Sequence, residues 1–199
     1  MVHKYQSMTF SNLLGIQYLS DKSLNDHFFL YEGYVKNTNK LIQELDVLSK
    51  EGLYNTPEFS EMKRRFGWEW NGIRLHELYF SNMIKGGNFL GRDTNLFKKI
   101  VRDFGSYDNW EKDFKAIGLI RGMGWTILCY GPFEDRLFNV WINEHNTGHL
   151  CTAFPILVMD MFEHAYIMDY GTDKKKYIDS FFKMIDWEAV SITSGSWFI

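Results

Sequence analysis

Apolar and aromatic side chains recur at helical spacing through the first half of the chain, beginning after Asp21. The positions that share this face are Leu24, His27, Tyr31, Tyr34, Leu41 and Leu45. Because residues three, four and seven apart lie on one face of an α-helix, this pattern predicts a long amphipathic helix. Gly52, which follows Glu51, is a suitable residue to end it, since glycine readily adopts the left-handed conformation found beyond helix C-termini.

A second helix is predicted to begin at Thr56-Pro57, where an N-capping threonine precedes a proline at the first helical position. Its apolar positions again follow helical spacing: Met62, Phe66, Ile73, His76, Tyr79, Phe80 and Met83. Since only a short segment separates the two helices, we expect them to pack side by side as a long antiparallel helical hairpin.

The pattern changes at Gly86-Gly87, which interrupts the helical periodicity and marks a predicted domain boundary. Residues 1–87 would form the helical hairpin domain, and residues 88–199 would form a C-terminal α+β domain. Within the second domain, two shorter helices are expected to begin near Asp93 and Asp108.

Short runs rich in β-branched and aromatic residues follow these helices. Trp125–Tyr130 and Leu137–Ile142 flank a turn segment that contains a Gly-Pro pair, which predicts a β-hairpin. Phe154–Asp160 is expected to add a third strand, and Glu163–Tyr170 and Lys175–Ile185 are expected to form closing helices. The predicted fold class is therefore α+β, with an N-terminal long antiparallel helical hairpin followed by an α/β lobe with a small three-stranded antiparallel sheet.

Composition narrows the class of protein. The formal net charge of -3 argues against a nucleic-acid binder or a polybasic membrane binder, and 18% aromatic residues suggest a crowded aromatic interior. Cys129 and Cys151 are the two cysteines and form no CxxC motif, which fits a reducing compartment. The N-terminal segment has no apolar signal-peptide core, and no apolar run reaches the roughly 20 residues needed to span a bilayer. We therefore expect a cytoplasmic protein.

Four residues with metal-binding side chains stand out. His27 and His76 lie on the apolar faces of the two predicted helices, where either alone would more commonly be a buried histidine with a hydrogen-bond partner. Asp160 ends an apolar run, and burying an unpaired carboxylate there would be costly unless a cation neutralised it; His164 follows four residues later. Three imidazoles and one carboxylate suit a first-row metal, whereas closed structural zinc sites usually use thiolates.

Several motifs resemble those of one protein family. The segment DMFEHAY at Asp160–Tyr166 resembles the signature D-x-W-E-H-x-x-Y of the iron/manganese superoxide dismutases. Further segments resemble family motifs in the same order along the chain: YVKN at Tyr34–Asn37, FGSYDN at Phe104–Asn109, GMGW at Gly122–Trp125, Tyr177-Ile178 and Asp186-Trp187. These matches extend over nearly the whole chain and are too many for a chance resemblance.

The resemblance implies a superoxide dismutase, an oxidoreductase that converts superoxide to dioxygen and hydrogen peroxide. It implies a single iron or manganese ion per chain, cycling between M(III) and M(II) and held by His27, His76, Asp160 and His164. It also implies a homodimer, with a tetramer still open, in which Glu163 of one subunit bonds the metal-ligating histidine of the other. The alternative is a relative of the same fold that binds metal but has weak or no dismutase activity.

The chain departs from the family at the first ligand. Family members place it eight residues before the tyrosine that aligns with Tyr34, whereas His27 is seven before it and Asp26 is eight before it. At about 100° per residue, seven steps return close to the same helix face, while eight overshoot by about 80°. The family spacing therefore needs an extra residue, such as a π-bulge, which we interpret as lost here. We expect His27 to be the ligand, with Asp26 as the rival.

A second departure concerns a glutamine that, in the family, bonds both the tyrosine and the metal-bound solvent. Counting back from Asp160, its place falls at Glu144, with His145 next, and Gly72 rules out the alternative position on the second helix. We expect Glu144, or less favourably His145, to take this role, although a carboxylate donates a hydrogen bond only when protonated. The candidate catalytic residues are thus Tyr34, Glu144 and Glu163.

Other family positions are also changed. Leu30 and Ile167 stand where the family carries a histidine and a tyrosine that pair across the dimer interface, so we expect a more apolar interface. Phe80 and Phe162 replace two tryptophans of the family's aromatic cage, while Trp125 keeps one and is expected near the metal.

Overall fold

The first half of the molecule is a pair of long antiparallel helices, seen in a computed structural model that describes residues 4–198. Helix α1 spans Asp21–Lys50 and helix α2 spans Pro57–Ser81. Thr56 caps α2, because its hydroxyl accepts a hydrogen bond from the backbone N–H of Phe59 at 3.2 Å. The predicted hairpin is confirmed.

Two shorter helices follow, close to their predicted starting points. Helix α3 spans Asn95–Phe104 and helix α4 spans Tyr107–Gly118. Gly105 ends α3 in the left-handed region with φ of 82°, where a side chain would be strained. Ser106 then caps α4 by accepting a hydrogen bond from the backbone N–H of Asn109 at 3.1 Å. The two helices contact each other, and both contact the sheet.

The sheet has three antiparallel strands, as predicted. They are β1 (Gly124–Gly131), β2 (Arg136–Asn143) and β3 (Phe154–Asp160), in the spatial order β2-β1-β3. Strand β1 is buried along its whole length, which explains its central place. Trp125 lies opposite Asp160 in the β1–β3 pairing, so the tryptophan and the aspartate meet at one end of the sheet.

The segment after β3 differs from the prediction of one continuous helix over Glu163–Tyr170. A 3₁₀ turn spans Glu163–Ala165 and a single helical turn, α5, spans Ile167–Tyr170. Tyr166 separates them, with φ of -140° and ψ of -21°, outside the helical region. Its ring is buried and stacks on Tyr177 at 5.4 Å between centroids, so tertiary packing overrides the local helical preference.

The closing helices are also rearranged. Helix α6 spans Lys174–Phe181 and ends before the expected Ile185, because Ile185 forms an antiparallel β-bridge with Met83 just beyond α2. A further helix, α7, spans Trp187–Gly195 and was not predicted. Its buried residues Trp187, Val190 and Ser194 follow helical spacing, but Ser194 is polar and the apolar Ile192 is exposed, which explains why apolar periodicity did not reveal the helix.

One hydrophobic core joins the hairpin to the sheet. Buried side chains of both regions belong to it, for example Ile73 in α2 and Val158 in β3. The backbone N–H of Val158 also donates to the Asn82 side chain at 2.9 Å. The predicted division at residue 87 stays a prediction, and residues 1–3 and 199 of its ranges lie outside the described part. Within residues 4–198, no helix combines the length and apolar character needed to cross a membrane.

Candidate metal centre

Four side chains from four separate elements converge between the hairpin and the sheet. His27 comes from α1, His76 from α2, Asp160 from the end of β3, and His164 from the 3₁₀ turn that follows. One candidate ligand atom from each residue can be chosen so that all four atoms lie within 4.8 Å of one another. The structure therefore brings together the whole predicted ligand set.

The carboxylate of Asp160 lies at the centre of this cluster. Its Oδ2 atom is 3.2 Å from Nε2 of His27, 3.2 Å from Nε2 of His164 and 3.7 Å from Nε2 of His76. Asp160 and His76 have no exposed surface, and His27 is almost as deeply buried. Three ring nitrogens thus face one buried oxygen from different directions.

Within residues 4–198, two of these nitrogens form no hydrogen bond, despite their proximity to Asp160. They are Nε2 of His27 and Nε2 of His76, both buried. The Nδ1–H of His76 donates to the carbonyl oxygen of Gly72 at 2.6 Å, which places the proton on Nδ1 and leaves the Nε2 lone pair facing Asp160. Buried unpaired nitrogens beside a buried carboxylate are costly unless a cation binds them. A nitrogen and oxygen donor set without thiolate fits a first-row metal ion.

The pKa shifts of these residues favour the protonation states that metal binding requires. Burial lowers the pKa of His27 and lowers the pKa of His76 well below its usual value. Burial alone would raise the pKa of Asp160, but the charge and hydrogen bond of His164 hold this pKa well below its usual range. The neutral imidazoles of His27 and His76 and the ionised carboxylate of Asp160 are forms that coordinate a metal.

Asp26, the rival first ligand, lies on the outside of α1. Its side chain is exposed and forms an ion pair with Lys22 at 2.9 Å, one helical turn away. Helix α1 is α-helical throughout, so the seven-residue step from His27 to Tyr34 keeps both on the inner face. The Tyr34 ring lies 5.1 Å from the His76 ring. The geometry therefore favours His27, as the helical register predicts.

Tyr34 has a histidine as its hydrogen-bond partner. Its hydroxyl lies 2.8 Å from Nε2 of His145, and Nδ1 of His145 accepts a hydrogen bond from the indole N–H of Trp125 at 3.0 Å. His145 is fully buried, and burial lowers its pKa to about 4. Because an indole N–H only donates, the neutral ring carries its proton on Nε2 and donates it to Tyr34.

The expectation that Glu144 would face Tyr34 is not met. Its side chain is exposed, and its Oε2 accepts a hydrogen bond from the indole N–H of Trp68 at 2.9 Å. The physical reason is the backbone of Glu144, which adopts a left-handed φ of 49° just after β2. This turn directs Glu144 outward and His145 inward, so the less favoured candidate takes the predicted place.

Tyr34 rests directly on a glycine of α2. A Cβ atom added at Gly72 would lie only 2.6–2.9 Å from three atoms of the Tyr34 ring. No real Cβ atom sits so close, so only glycine allows the ring to reach His145 while α2 stays in place. The absence of a side chain at Gly72 is therefore part of the site.

Aromatic rings surround the histidines on the remaining sides. They include the two phenylalanines and the tryptophan expected there. The shortest ring-centroid distances to a cluster histidine are 5.0 Å for Trp125 to His76, 4.9 Å for Phe80 to His27 and 5.3 Å for Phe162 to His164. These three rings place the cluster in an apolar environment.

Sequence reasoning missed a pair of buried tyrosines behind the cluster. The hydroxyl of Tyr177 donates to the backbone carbonyl of Asp160 at 2.9 Å, and the Tyr79 hydroxyl lies 3.1 Å from that of Tyr177. Since Tyr177 uses its one proton on Asp160, Tyr79 donates to Tyr177. The pair fixes the backbone that carries the carboxylate.

Comparison with known proteins agrees with this site. Residues 92–193 match the family model described as iron/manganese superoxide dismutases, C-terminal domain. The superoxide dismutase [Fe] of Cupriavidus metallidurans is 37% identical over 175 residues, which is 85% of this chain and 85% of the relative. This chain belongs to the iron/manganese superoxide dismutase family.

Other relatives in the family carry names for either metal. The superoxide dismutase [Fe] of Aquifex aeolicus is 33% identical over 195 residues, which covers 96% of this chain and 91% of the relative. The superoxide dismutase [Mn] of Haloarcula marismortui is 39% identical over 118 residues, which covers 59% of this chain and 57% of the relative. Family membership therefore supports iron or manganese without selecting one.

Glu163, the residue implied in a family-type dimer, lies on the surface beside the cluster. Its side chain is exposed, while the neighbouring His164 side chain retains 25% of its surface. Leu30 and Ile167 are exposed by 39% and 46%, and they follow His27 and His164, respectively, by three residues.

Proposed function

We propose that this protein is a superoxide dismutase that uses a single iron or manganese ion per chain, held by His27, His76, Asp160 and His164. The observation that carries this proposal is the pair of buried, unpartnered Nε2 atoms of His27 and His76 beside the fully buried carboxylate. A protein without a metal would gain nothing from that arrangement, because each group is costly to bury alone.

When bound, such an ion supplies one-electron redox chemistry by alternating between M(III) and M(II). In the balanced reaction, one superoxide is oxidised to dioxygen, while a second superoxide gains one electron and two protons to become hydrogen peroxide. The three imidazoles are neutral ligands and Asp160 is an anionic one, so the site keeps a net positive charge that attracts a small anion. Removal of superoxide would make the protein an antioxidant enzyme.

Tyr34 is the candidate for proton delivery. His145 donates to the Tyr34 oxygen, which leaves the phenolic proton free to point toward substrate or solvent. Burial raises the pKa of Tyr34, so the phenol remains protonated near neutral pH and can serve as a hydrogen-bond donor. The role of His145 is therefore to orient Tyr34 rather than to exchange protons itself.

One observation favours the weaker dismutase as a second candidate. Both nitrogens of His145 are engaged, Nδ1 by Trp125 and Nε2 by Tyr34. A glutamine amide at this place could donate to a tyrosine and to the solvent at the metal together, whereas this imidazole has no second donor. The reduction potential of the metal would then differ from that of glutamine-containing relatives, and turnover would be slower.

We also propose that the protein is a homodimer in which Glu163 accepts a hydrogen bond from the partner's His164. A carboxylate in this role would orient the imidazole, as carboxylates commonly do for metal-bound histidines. The exposed Leu30 and Ile167 supply apolar surface for the same interface. Sedimentation of wild type and Glu163→Ala tests this: the variant should dissociate and lose metal, and a wild-type monomer with full metal content would refute it.

The cytoplasm is the proposed location, since Cys129 and Cys151 are both free thiols. Cell fractionation would decide this.

The proposed function itself is tested by metal analysis and a dismutation assay on the same sample. Wild type should contain iron or manganese and remove superoxide. Replacement of His76, Asp160 or His164 by alanine should abolish both properties, because each change removes one ligand and leaves the others buried without a partner. Full metal content in His164→Ala would contradict the ligand assignment.

A further inference from the structure

Trp68 lies against both residues of the Tyr34–His145 pair. It is a half-buried residue of α2, and its ring centroid is 5.4 Å from that of Tyr34 and 4.6 Å from that of His145. It also lines a surface depression together with Tyr34 and Arg65. Trp68 thus packs against the Tyr34–His145 hydrogen bond on the side of this depression.

The indole is anchored across the two halves of the fold. Its N–H donates to Oε2 of Glu144 at 2.9 Å. This bond joins helix α2 to the turn after β2 that also carries His145. An indole N–H has no other hydrogen-bonding mode, and a carboxylate is a strong acceptor, so the bond specifies the ring orientation.

A second contact holds the same ring. The guanidinium carbon of Arg65 lies 4.0 Å from the Trp68 ring centroid, within the range of a cation–π interaction. Arg65 is itself fixed, because its Nε donates to Glu69 at 2.9 Å and Glu69 is only 2% exposed. The indole therefore has an anchored partner on α2 as well as one on the turn.

The turn that carries His145 needs such support. Glu144 has a left-handed φ of 49°, which is unfavourable for a residue with a side chain. Its backbone N–H donates to the carbonyl of Met123 at 3.2 Å, and its side chain is committed to Trp68. Loss of the side-chain bond would leave the strained turn with fewer contacts that oppose its relaxation.

We propose that Trp68 is a positioning residue of the dismutation site, whose indole, anchored by Glu144, keeps His145 in hydrogen-bond contact with Tyr34. This inference rests on the proposed function for its consequence but not for its geometry. It gives Glu144 a new role: it acts as a hydrogen-bond acceptor for Trp68 instead of replacing the family's glutamine. A glutamine at this position would keep an acceptor oxygen, whereas an alanine would remove it.

The test compares Trp68→Phe, Glu144→Ala and Glu144→Gln in the metal-loaded protein, with the double variant Trp68→Phe/Glu144→Ala. Trp70→Phe and Glu188→Ala are the matched controls. Trp70 lies on the same helix but packs on Phe66 and beneath Arg74, and Glu188 is an exposed residue of α7. The first readout is hydrogen exchange of the amides in residues 143–147, which does not depend on activity.

We expect exchange in this segment to rise by about tenfold in Trp68→Phe and in Glu144→Ala, because each loses the same bond to a charged group. The double variant should be no worse than the worse single variant, and Glu144→Gln should resemble wild type. In parallel, the reduction potential and the dissociation constant for azide, a small anionic probe, should shift in Trp68→Phe, Glu144→Ala and the double variant, and should stay unchanged in Glu144→Gln and the two controls.

Unchanged exchange in Trp68→Phe, or strictly additive effects in the double variant, would overturn the proposal. These outcomes are separate from failure of the proposed function. If the protein binds metal and azide but does not dismutate superoxide, the exchange data and the potential still decide whether Trp68 positions His145.

Discussion

The Nε2 atom of His145 lies 2.8 Å from the hydroxyl of Tyr34, although the two residues are 111 positions apart in the sequence. This contact links helix α1 to the turn after β2, beside the candidate metal ligand His76. It also decides which way the phenol points, since His145 can only donate to it while Trp125 occupies its other nitrogen.

The first prediction concerns His145 and its neighbour. His145→Ala leaves the Tyr34 hydroxyl and the Trp125 N–H without a buried partner, at a cost of about 1–3 kcal/mol for each unsatisfied group. We expect the metal to be retained, the reduction potential to shift and kcat to fall by about tenfold or more. Glu144→Gln should change neither quantity, since the glutamine oxygen can still accept the hydrogen bond of Trp68. Potentiometry and stopped-flow kinetics on both variants provide the measurement, and the reverse order of effects would show that Glu144 is the functional residue.

The choice between Glu144 and His145 is a part of the site that the sequence alone did not predict correctly. Counting back from Asp160 placed the residue within one position but favoured Glu144, the wrong neighbour. Ile142 is buried and Asn143 exposed, so a continued period of two would bury Glu144. The left-handed turn at Glu144 breaks that alternation, and no local sequence pattern predicts this turn.

Other features were predictable because their cause is local. The register of His27 and Tyr34 follows from helix geometry alone, and Thr56 and Pro57 predict where α2 begins. The contacts of Trp68 could not be predicted, since periodicity does not reveal which distant turn meets a half-buried ring. The break at Tyr166 was missed for the same reason, because its cause is packing against a residue of α6.

The second prediction separates His27 from Asp26. His27→Ala should lose most of the bound metal, because it removes a buried ligand atom that faces Asp160 at 3.2 Å. Asp26→Asn should retain the metal, since Asp26 pairs only with the exposed Lys22, and such a surface pair contributes about 0–1 kcal/mol. Metal content after exhaustive dialysis decides between them. Metal loss in Asp26→Asn with retention in His27→Ala would mean that the helical register is wrong.

The third prediction concerns the seat of the Tyr34 ring. Gly72→Ala forces a methyl group into ring atoms 2.6–2.9 Å away, so Tyr34 must move and lose His145. We expect a loss of about 1–3 kcal/mol in the free energy of unfolding, together with a drop in kcat at unchanged metal content. Gly67→Ala is the matched control on the same helix, because nothing lies within 4 Å of its added Cβ. The control should be neutral or more stable by up to about 1 kcal/mol; equal behaviour of the two variants would refute the steric argument.

The fourth prediction concerns pH. Burial lowers the pKa of His27 and His76 below the ordinary value of 6.5, so the unfolded chain binds more protons than the native state below that pH. The stability of metal-free protein should therefore be highest above about pH 6.5 and fall as the solution becomes more acidic. Urea unfolding of metal-free protein, followed against pH, provides the measurement. A metal-free protein that becomes more stable as the pH falls below 6.5 would contradict this prediction.

The most direct test of the central claim is the rate of superoxide removal per bound metal ion, measured by stopped flow on protein whose iron and manganese content is known. We expect a single such ion per chain and a catalytic rate that scales with metal content and disappears in Asp160→Ala. A fully metal-loaded protein that removes superoxide no faster than the Asp160→Ala variant would contradict it, and would leave a metal-binding relative with another role.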